Sequence, residues 1–250
     1  MKILLIGAGN MGSALYRVWS SKYDVLVVEN SKESQSDLMS RFKDIKFASD
    51  TNCEDMVVVL AVKPQSIASV NLTGRAKAVI SIMAGVALDT IRSRFEADSF
   101  VRAMPNMAAQ FAASATALTG DKEAKDLSLE LFGSVGTAIW LATEKELNIA
   151  TALAGSGPGY LAVVAEAMAN SAVKLGLNSN DAHALTKALF GGMEPLLNSA
   201  HPAILKEKIS SPAGTTAAGI AKLEEYGTRH AFYEAVKAAY ERALELANNK

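Results

Sequence analysis

From residue 2 to about residue 143, short runs of valine, isoleucine and leucine alternate with polar segments of helical spacing. The runs KILLIG (2–7), DVLVVE (24–29), IKFAS (45–49), MVVVLAV (56–62), AVISIM (78–83), SFVRAM (99–104), ATALTG (115–120) and TAIWLA (137–142) predict strands. Between them, MGSALYRVWSS, SKESQSDLMSRF, LDTIRSRF and DKEAKDLSLELFGSV predict helices. Strands that are apolar on both faces must be covered on both faces, so the alternation predicts a parallel sheet between helical layers. From residue 144 the pattern changes. EKELNIATALAG, GYLAVVAEAMANSAVKLG, DAHALTKALFGGMEPLLNS, AILKEKIS and RHAFYEAVKAAYERALELANN all carry helical spacing, and no strand pattern follows. The expectation is an α/β domain over residues 1–143 and an all-helical domain over 144–250, each of ordinary domain size.

Composition narrows the class. The 250 residues are 50% hydrophobic and 20% charged with a net charge of −1, which fits a soluble globular chain with a sizeable core. Lysine and arginine are scattered and balanced by acidic residues, so no footprint for nucleic acid is present. The one cysteine, Cys53, excludes an internal disulfide and fits a reducing, cytoplasmic location. It has no histidine beside it in TNCED, and a structural role is the reading. The N-terminal MKILLIGAG has the superficial look of a leader, but its apolar stretch is short and runs into glycines, which reads as a first strand. No apolar run approaches the roughly 20 residues of a membrane span, so no membrane partner is expected.

The first chemical signal is Gly7-Ala8-Gly9-Asn10-Met11-Gly12, a G-x-G-x-x-G pattern that leaves a strand and opens a helix. In that context Gly7 makes the tight turn, Gly9 admits a pyrophosphate to the backbone N–H groups, and Gly12 lets helix and strand approach. The first domain is accordingly expected to be a Rossmann-type doubly wound sheet. The second strand ends at Glu29, where a carboxylate suits the ribose hydroxyls of NAD and repels a 2′-phosphate. Asn30, Ser31 and Lys32 follow and suit the 2′-phosphate of NADP if Glu29 points away. Both readings stand on the residues. Further along the carboxyl edge of the sheet, LAVKPQ supplies Ala61, Val62, Lys63 and Pro64, SIMAGV supplies Ala84 and Gly85, and RAMPNMAAQ supplies Asn106. For the Lys63 ammonium, a cofactor contact and a solvated strand end are equal readings.

GAGNMGSAL, LAVKPQ, MPN, ALAGSGPGYLAVVAEAM, VKLGL and ISSPAGTTAAGIAKLEE, in order along nearly the whole chain, resemble the pyrroline-5-carboxylate reductase family. The first motif is shared by many dinucleotide enzymes, whereas the last is specific to that family. The resemblance implies a Rossmann domain followed by a helical dimerisation domain, a homodimer or higher homo-oligomer, and NADP as cofactor, with NAD possible given Glu29. It implies reduction of the C=N bond of 1-pyrroline-5-carboxylate to L-proline, the last step of proline biosynthesis. One departure stands out: the family usually has Ser-Pro-Gly-Gly where this chain has Ser211-Pro212-Ala213-Gly214. A methyl group at Ala213 matters only if that residue needs φ > 0.

The stretch SSPAGTTAAG breaks a helical region with proline and glycine. On the residues alone it reads most simply as a helix cap, because capping and anion binding use the same N–H groups. The resemblance turns it into a substrate loop. It implies that Ser211, Gly214, Thr215 and Thr216 bind the substrate, and that the Thr216 hydroxyl lies near the ring nitrogen and takes part in catalysis. None of His183, His201 and His230 is assigned a role, and no metal is expected; His201 reads as a helix start. A β-hydroxyacid dehydrogenase has the same two-domain layout, but GSGPGYLAVVAEAM has no lysine before Lys174 to serve as its catalytic base. A non-enzymatic nucleotide sensor is the remaining alternative, and it has no need of the 211–216 loop.

Overall fold

Each of the eight apolar runs becomes a strand of one sheet in the computed structural model, which describes residues 1–248. In chain order they are β1 (Lys2–Ile6), β2 (Asp24–Val28), β3 (Lys46–Phe47), β4 (Val57–Leu60), β5 (Ala78–Ser81), β6 (Phe100–Met104), β7 (Ser114–Gly120) and β8 (Gly136–Trp140). Their order across the sheet is β3-β2-β1-β4-β5-β6-β7-β8. The chain winds outward from β1 in one direction and resumes from β4 in the other, which puts the topological switch between β1 and β4.

Alternation along the strands explains why they are apolar throughout. Ile3, Leu5, Val57 and Val59 face one helical layer, with Leu15, Trp19 and Phe132, while Leu4, Ile6, Val58 and Leu60 face the other, with Ile91 and Phe95. The first layer contains α1 (Asn10–Trp19), α2 (Lys32–Arg41) and α4 (Lys125–Gly133); α3 (Leu88–Arg92) lies on the second. Cys53 is buried, its thiol donating to the Thr73 carbonyl at 3.3 Å, and burial pushes its pKa up, as suits a structural thiol.

The expectation of a wholly parallel sheet needs one correction. β7 runs antiparallel to β6, with Val101 opposite Gly120 and Met104 opposite Ala117. Only residues 105–113 connect the two strands, too short a link for the helical crossover a parallel pair requires. β8 then pairs parallel to β7 after α4.

Two compact units divide the chain: Met1–Gly157 with the residues from Ala238 onward, and Pro158–Lys237. The first unit thus includes α5 (Glu144–Ala150) and a π-helical turn, Thr151–Gly155, and Leu147 packs with Met104 and Ala117 of the sheet. The sequence pattern places residues 144–157 with the helical domain, while their packing groups them with the sheet. The remaining helices are α6 (Gly157–Lys174), α7 (Ser179–Ser199), α8 (Pro202–Ile209), α9 (Thr215–Glu225) and α10 (Thr228–Asn248). The expected last helix extends to Asn249, which lies outside the described residues.

A second correction concerns the helix Glu144–Lys174. It is 31 residues long, and its most apolar stretch has a mean hydropathy of 1.2, so by length and composition it is sufficient to cross a membrane. The sequence pattern split it into two shorter helices at GSG, but the π turn carries the helical path through.

Within Pro158–Lys237, the buried apolar residues among those described are Ala169, Ala182 and Leu205. Leu161, Val163, Leu185, Leu189 and Tyr233 are exposed, as is Leu175 at 90%. Apolar side chains of these helices are thus left largely uncovered within the chain.

Candidate active site

The glycine loop is built as the spacing requires. Gly7 sits at φ +90°, a conformation other residues rarely adopt, and an added Cβ would stand 2.9 Å from Val62 Cγ1. A Cβ on Gly12 would collide with the Gly7 carbonyl oxygen at 2.3 Å. At Gly9, by contrast, nothing lies within 4 Å of an added Cβ. Gly9 is the N-cap of α1 and offers no side-chain cap; the first helical bond is donated by the Ser13 N–H to the Gly9 carbonyl at 2.9 Å. The N–H groups of Asn10, Met11 and Gly12 precede that bond and point out of the helix end. An open cradle with uncapped donors at the positive end of a helix fits a pyrophosphate.

Beside it, Glu29 has turned its carboxylate toward the backbone. Oε2 accepts from the Ala8 N–H at 3.4 Å and Oε1 from the Ser31 N–H at 3.1 Å. Gln35 Nε2 donates to the Glu29 carbonyl. Ser31 caps α2, its hydroxyl accepting from the Ser34 N–H at 3.3 Å, and Asn30, Ser31 and Lys32 are exposed around the helix start. A cleft of about 470 Å³ opens here, lined by Gly7, Glu29, Asn30, Thr51, Val62 and Ser69 among others.

The other edge loops follow strands β4, β5 and β6, side by side in the sheet. Lys63 is exposed, and Pro64 opens a 3-10 turn, Pro64–Ser69, that leads the chain away from β4. Ala84 packs against the Met104–Leu147 cluster, and Gly85 is buried at φ +72°. Asn106 follows β6 in the third edge loop. Its side chain is buried, Oδ1 accepts from the Ala108 N–H at 3.0 Å, and Nδ2 donates to the Ala154 carbonyl at 3.0 Å. Its backbone N–H donates to Ser114 Oγ at 3.0 Å. Asn106 therefore ties the edge loop to the π turn.

In the second unit, Ser211-Pro212-Ala213-Gly214 is a tight turn closed by the Gly214 N–H donating to the Ser211 carbonyl at 3.0 Å. Proline at the second position and φ +59° at Ala213 mark a type II turn, whose third position favours glycine. Ala213 thus occupies a left-handed position with a side chain. A Cβ on Gly214 would meet Ser211 Oγ at 2.3 Å, so a side chain there would push the serine hydroxyl out of its present position. Gly214 is also the N-cap of α9 and supplies no side-chain bond; the Ala218 N–H donates to its carbonyl at 3.1 Å. The cap reading of this stretch therefore lacks its side-chain bond. The N–H groups of Thr215 and Thr216 stand ahead of the first helical bond, and neither threonine hydroxyl has a partner among the described residues. His201 caps α8, Nδ1 accepting from the Ala203 N–H at 3.3 Å, as a helix start requires. Among the described residues no three acidic, histidine or cysteine side chains gather to hold a metal ion.

Sequence reasoning missed an ion pair next to these loops, between a buried arginine and a half-buried glutamate. Arg102, at the centre of β6 and 4% exposed, donates from Nη1 to Glu144 Oε1 at 2.8 Å. The same Oε1 accepts from the Leu88 N–H at 3.0 Å. The available signal was an arginine inside an otherwise apolar strand run, SFVRAM, which demands a buried anion.

Comparison with known proteins extends this geometry. Residues 144–246 match the family described as pyrroline-5-carboxylate reductase dimerisation, and residues 2–85 match NADP oxidoreductase coenzyme F420-dependent. The chain is 39% identical to a pyrroline-5-carboxylate reductase of Methanosarcina acetivorans, covering 98% of this chain and 97% of that one. It is 34% identical to one of Thermus thermophilus, covering all of both. Among solved structures, the Streptococcus pyogenes 1-pyrroline-5-carboxylate reductase is similar with a TM-score of 0.85 and 30% identity, covering 98% of each chain. A Plasmodium falciparum pyrroline carboxylate reductase with NADP bound is similar with a TM-score of 0.83 and 25% identity, covering 99% of this chain and 100% of that one.

Proposed function

The chain belongs to the pyrroline-5-carboxylate reductase family, and from that premise we infer that it reduces 1-pyrroline-5-carboxylate to L-proline with NAD(P)H. The observation that carries the reading is identity of 39% over 98% of the chain.

We propose the following division of labour. The N–H groups of Asn10, Met11 and Gly12 hold the pyrophosphate, and open space at Gly9 admits it. Asn30, Ser31 and Lys32 take the 2′-phosphate of NADP, because the Glu29 carboxylate is occupied by the N–H groups of Ala8 and Ser31. Ala61, Val62, Lys63 and Pro64 after β4 and Ala84 and Gly85 after β5 line the nicotinamide half. When bound, the dinucleotide supplies the hydride that adds to the C=N carbon. The N–H groups at the start of α9 and the Ser211 hydroxyl hold the substrate carboxylate, with the helix dipole in their favour. The Thr216 hydroxyl orients the ring nitrogen, which finishes protonated. A cyclic imine that is protonated in water requires no strong general acid, so the chain's contribution is orientation and electrostatics.

The assembly we propose is a homodimer or larger homo-oligomer, in which a second copy covers the apolar faces of α6 and α7; the enzyme is cytoplasmic. Support comes from the dimerisation-family match over 144–246 and from the near absence of a core within 158–237. The same match argues that the apolar helix Glu144–Lys174 faces protein, not lipid. Following oxidation of NADPH and of NADH by purified protein with 1-pyrroline-5-carboxylate tests the whole reading. Turnover with faster use of NADPH is expected, and no turnover with either cofactor would sink it.

A further inference from the structure

The loop 82–87 between β5 and α3 carries Ala84 and Gly85, and it is fixed at both ends. At its start, the Met83 N–H donates to Ser81 Oγ at 3.2 Å. At its end, the Leu88 N–H donates to Glu144 Oε1 at 3.0 Å. Glu144 is itself held from two sides. Arg102, buried in the middle of the sheet beside Ser81, donates to the same oxygen at 2.8 Å, and its Nη2 donates to Asn148 Oδ1 at 3.4 Å. The helix that begins at Glu144 is locked by a full capping box. Glu146 Oε2 accepts from the N–H groups of Ala142 and Thr143 at 2.8 and 3.1 Å, and Thr143 Oγ1 accepts from the Glu146 N–H at 3.2 Å.

We propose that Glu144 is a positioning residue for the reduction, setting the height of the 82–87 loop through the Leu88 N–H while Arg102 fixes the carboxylate. The inference rests on the reading above that this loop lines the nicotinamide half of the cofactor. A buried arginine needs one carboxylate; this carboxylate also accepts from the single backbone N–H that ends the loop, which a purely charge-balancing role does not require. Loss of that bond lets the loop retreat from the nicotinamide without touching the pyrophosphate or ribose contacts. Misplacement by about 1 Å is enough to slow a reaction by up to about 100-fold.

Leu88→Pro removes the bond from the loop side. Leu88 is the first residue of α3, where proline is favoured, and Ala87 before it lies at φ −72°, ψ 156°, the conformation a residue before proline adopts. The substitution removes the N–H, and its ring Cδ would stand well inside contact distance of Glu144 Oε1, so the carboxylate must swing off Leu88 while it stays charged beside Arg102. Leu88→Ala keeps the N–H and controls for the lost side chain. Turnover is measured with NADPH and with NADPH deuterated at the transferred position, in parent, Leu88→Ala, Leu88→Pro and Glu144→Ala. Relative to Leu88→Ala, Leu88→Pro is expected to lower kcat about tenfold and to raise the isotope effect on kcat, because hydride transfer becomes slower than product release. The KM for NADPH stays within about twofold, since the contacts of the ribose and phosphates are untouched. Glu144→Ala gives the same signature; should it fail to fold, the proline variant decides alone. A Leu88→Pro enzyme with the kcat and isotope effect of Leu88→Ala overturns the inference. A parent protein that does not reduce 1-pyrroline-5-carboxylate overturns the functional reading itself, which is a separate result.

Discussion

The Gly7 carbonyl oxygen stands 2.3 Å from where a Cβ on Gly12 would be, whereas a Cβ on Gly9 would meet nothing within 4 Å. Two glycines of one motif therefore serve different ends, one packing and one access. Gly12→Val is expected to cost about 2–3 kcal/mol of stability, the range for overpacking against fixed backbone. Gly9→Val should fold as the parent does and lose at least about 100-fold in dinucleotide affinity, about 3 kcal/mol. Thermal unfolding and cofactor titration of both variants separate the two roles. Undiminished affinity in Gly9→Val would remove the pyrophosphate from this loop.

The turn at 211–214 yields a stability prediction. Ala213 holds φ +59° where a type II turn favours glycine, and the left-handed region costs a side-chain-bearing residue about 1–2 kcal/mol. Glycine's greater freedom in the unfolded chain takes back about 0.4–1 kcal/mol. Ala213→Gly is thus expected to stabilise by up to about 1.5 kcal/mol, read as a higher urea midpoint at unchanged slope. A lower midpoint would show that the turn is not strained.

Which parts of this molecule are legible from sequence follows from what each pattern encodes. The eight strands are legible because residues such as Val57, Val58, Val59 and Leu60 must be buried on both faces, and burial is written directly in residue type. The glycine loop is legible because its geometry excludes side chains at Gly7 and Gly12. The antiparallel turn of β7 is not, since direction depends on connection length and partner choice. Asn106 is half legible: its place at a strand end is written in the sequence, while its partners, Ala108, Ser114 and Ala154, are set by tertiary structure. Glu144 looks like an ordinary first-turn acid of a helix, and only the fold brings Arg102 and the Leu88 N–H to it.

Acid stability should depend on Asp121. Its Oδ2 accepts from the Phe100 N–H at 2.8 Å and its Oδ1 pairs with Arg92. Burial pushes the carboxyl pKa up, but the Arg92 hydrogen bond, the Phe100 N–H and the Arg92 charge together outweigh it and hold the value below the usual carboxylate range. A depressed folded-state pKa means that the contribution is present above the unfolded-state value and is lost as pH falls through the folded-state value. Asp121→Asn is expected to cost about 1.5–3 kcal/mol near neutral pH, the scale of a charged hydrogen bond. The difference from the parent should shrink as pH drops below the ordinary aspartate range. A pH-independent difference in denaturation midpoints would assign the effect to packing alone.

Val163 on α6 is exposed within the chain and lies in the segment that matches the dimerisation family. If a second copy covers it, Val163→Glu places a charge in an apolar interface. Sedimentation should then show a smaller species than the parent, with unfolding at lower temperature that depends on protein concentration. A variant that sediments as the parent does would move the interface off this face of α6.

The last test distinguishes Thr216 from its neighbour. Both threonines open α9 with hydroxyls that have no partner among the described residues, but Thr215 is exposed and Thr216 is half-buried. A hydroxyl bonded to the ring nitrogen gains strength as that nitrogen acquires amine character, so its loss should lower turnover more than cofactor affinity. Thr216→Val keeps the shape and is expected to cost about 1–3 kcal/mol of transition-state stabilisation, the scale of an unmade polar contact in a closed site. Thr215→Val should cost less, because the role proposed for Thr215 is carried by its backbone N–H, which valine retains. Steady-state kinetics of the two variants decide between them. Parental turnover in Thr216→Val with loss in Thr215→Val would reverse the two roles. Parental turnover in both would leave the loop a helix start and place the substrate elsewhere.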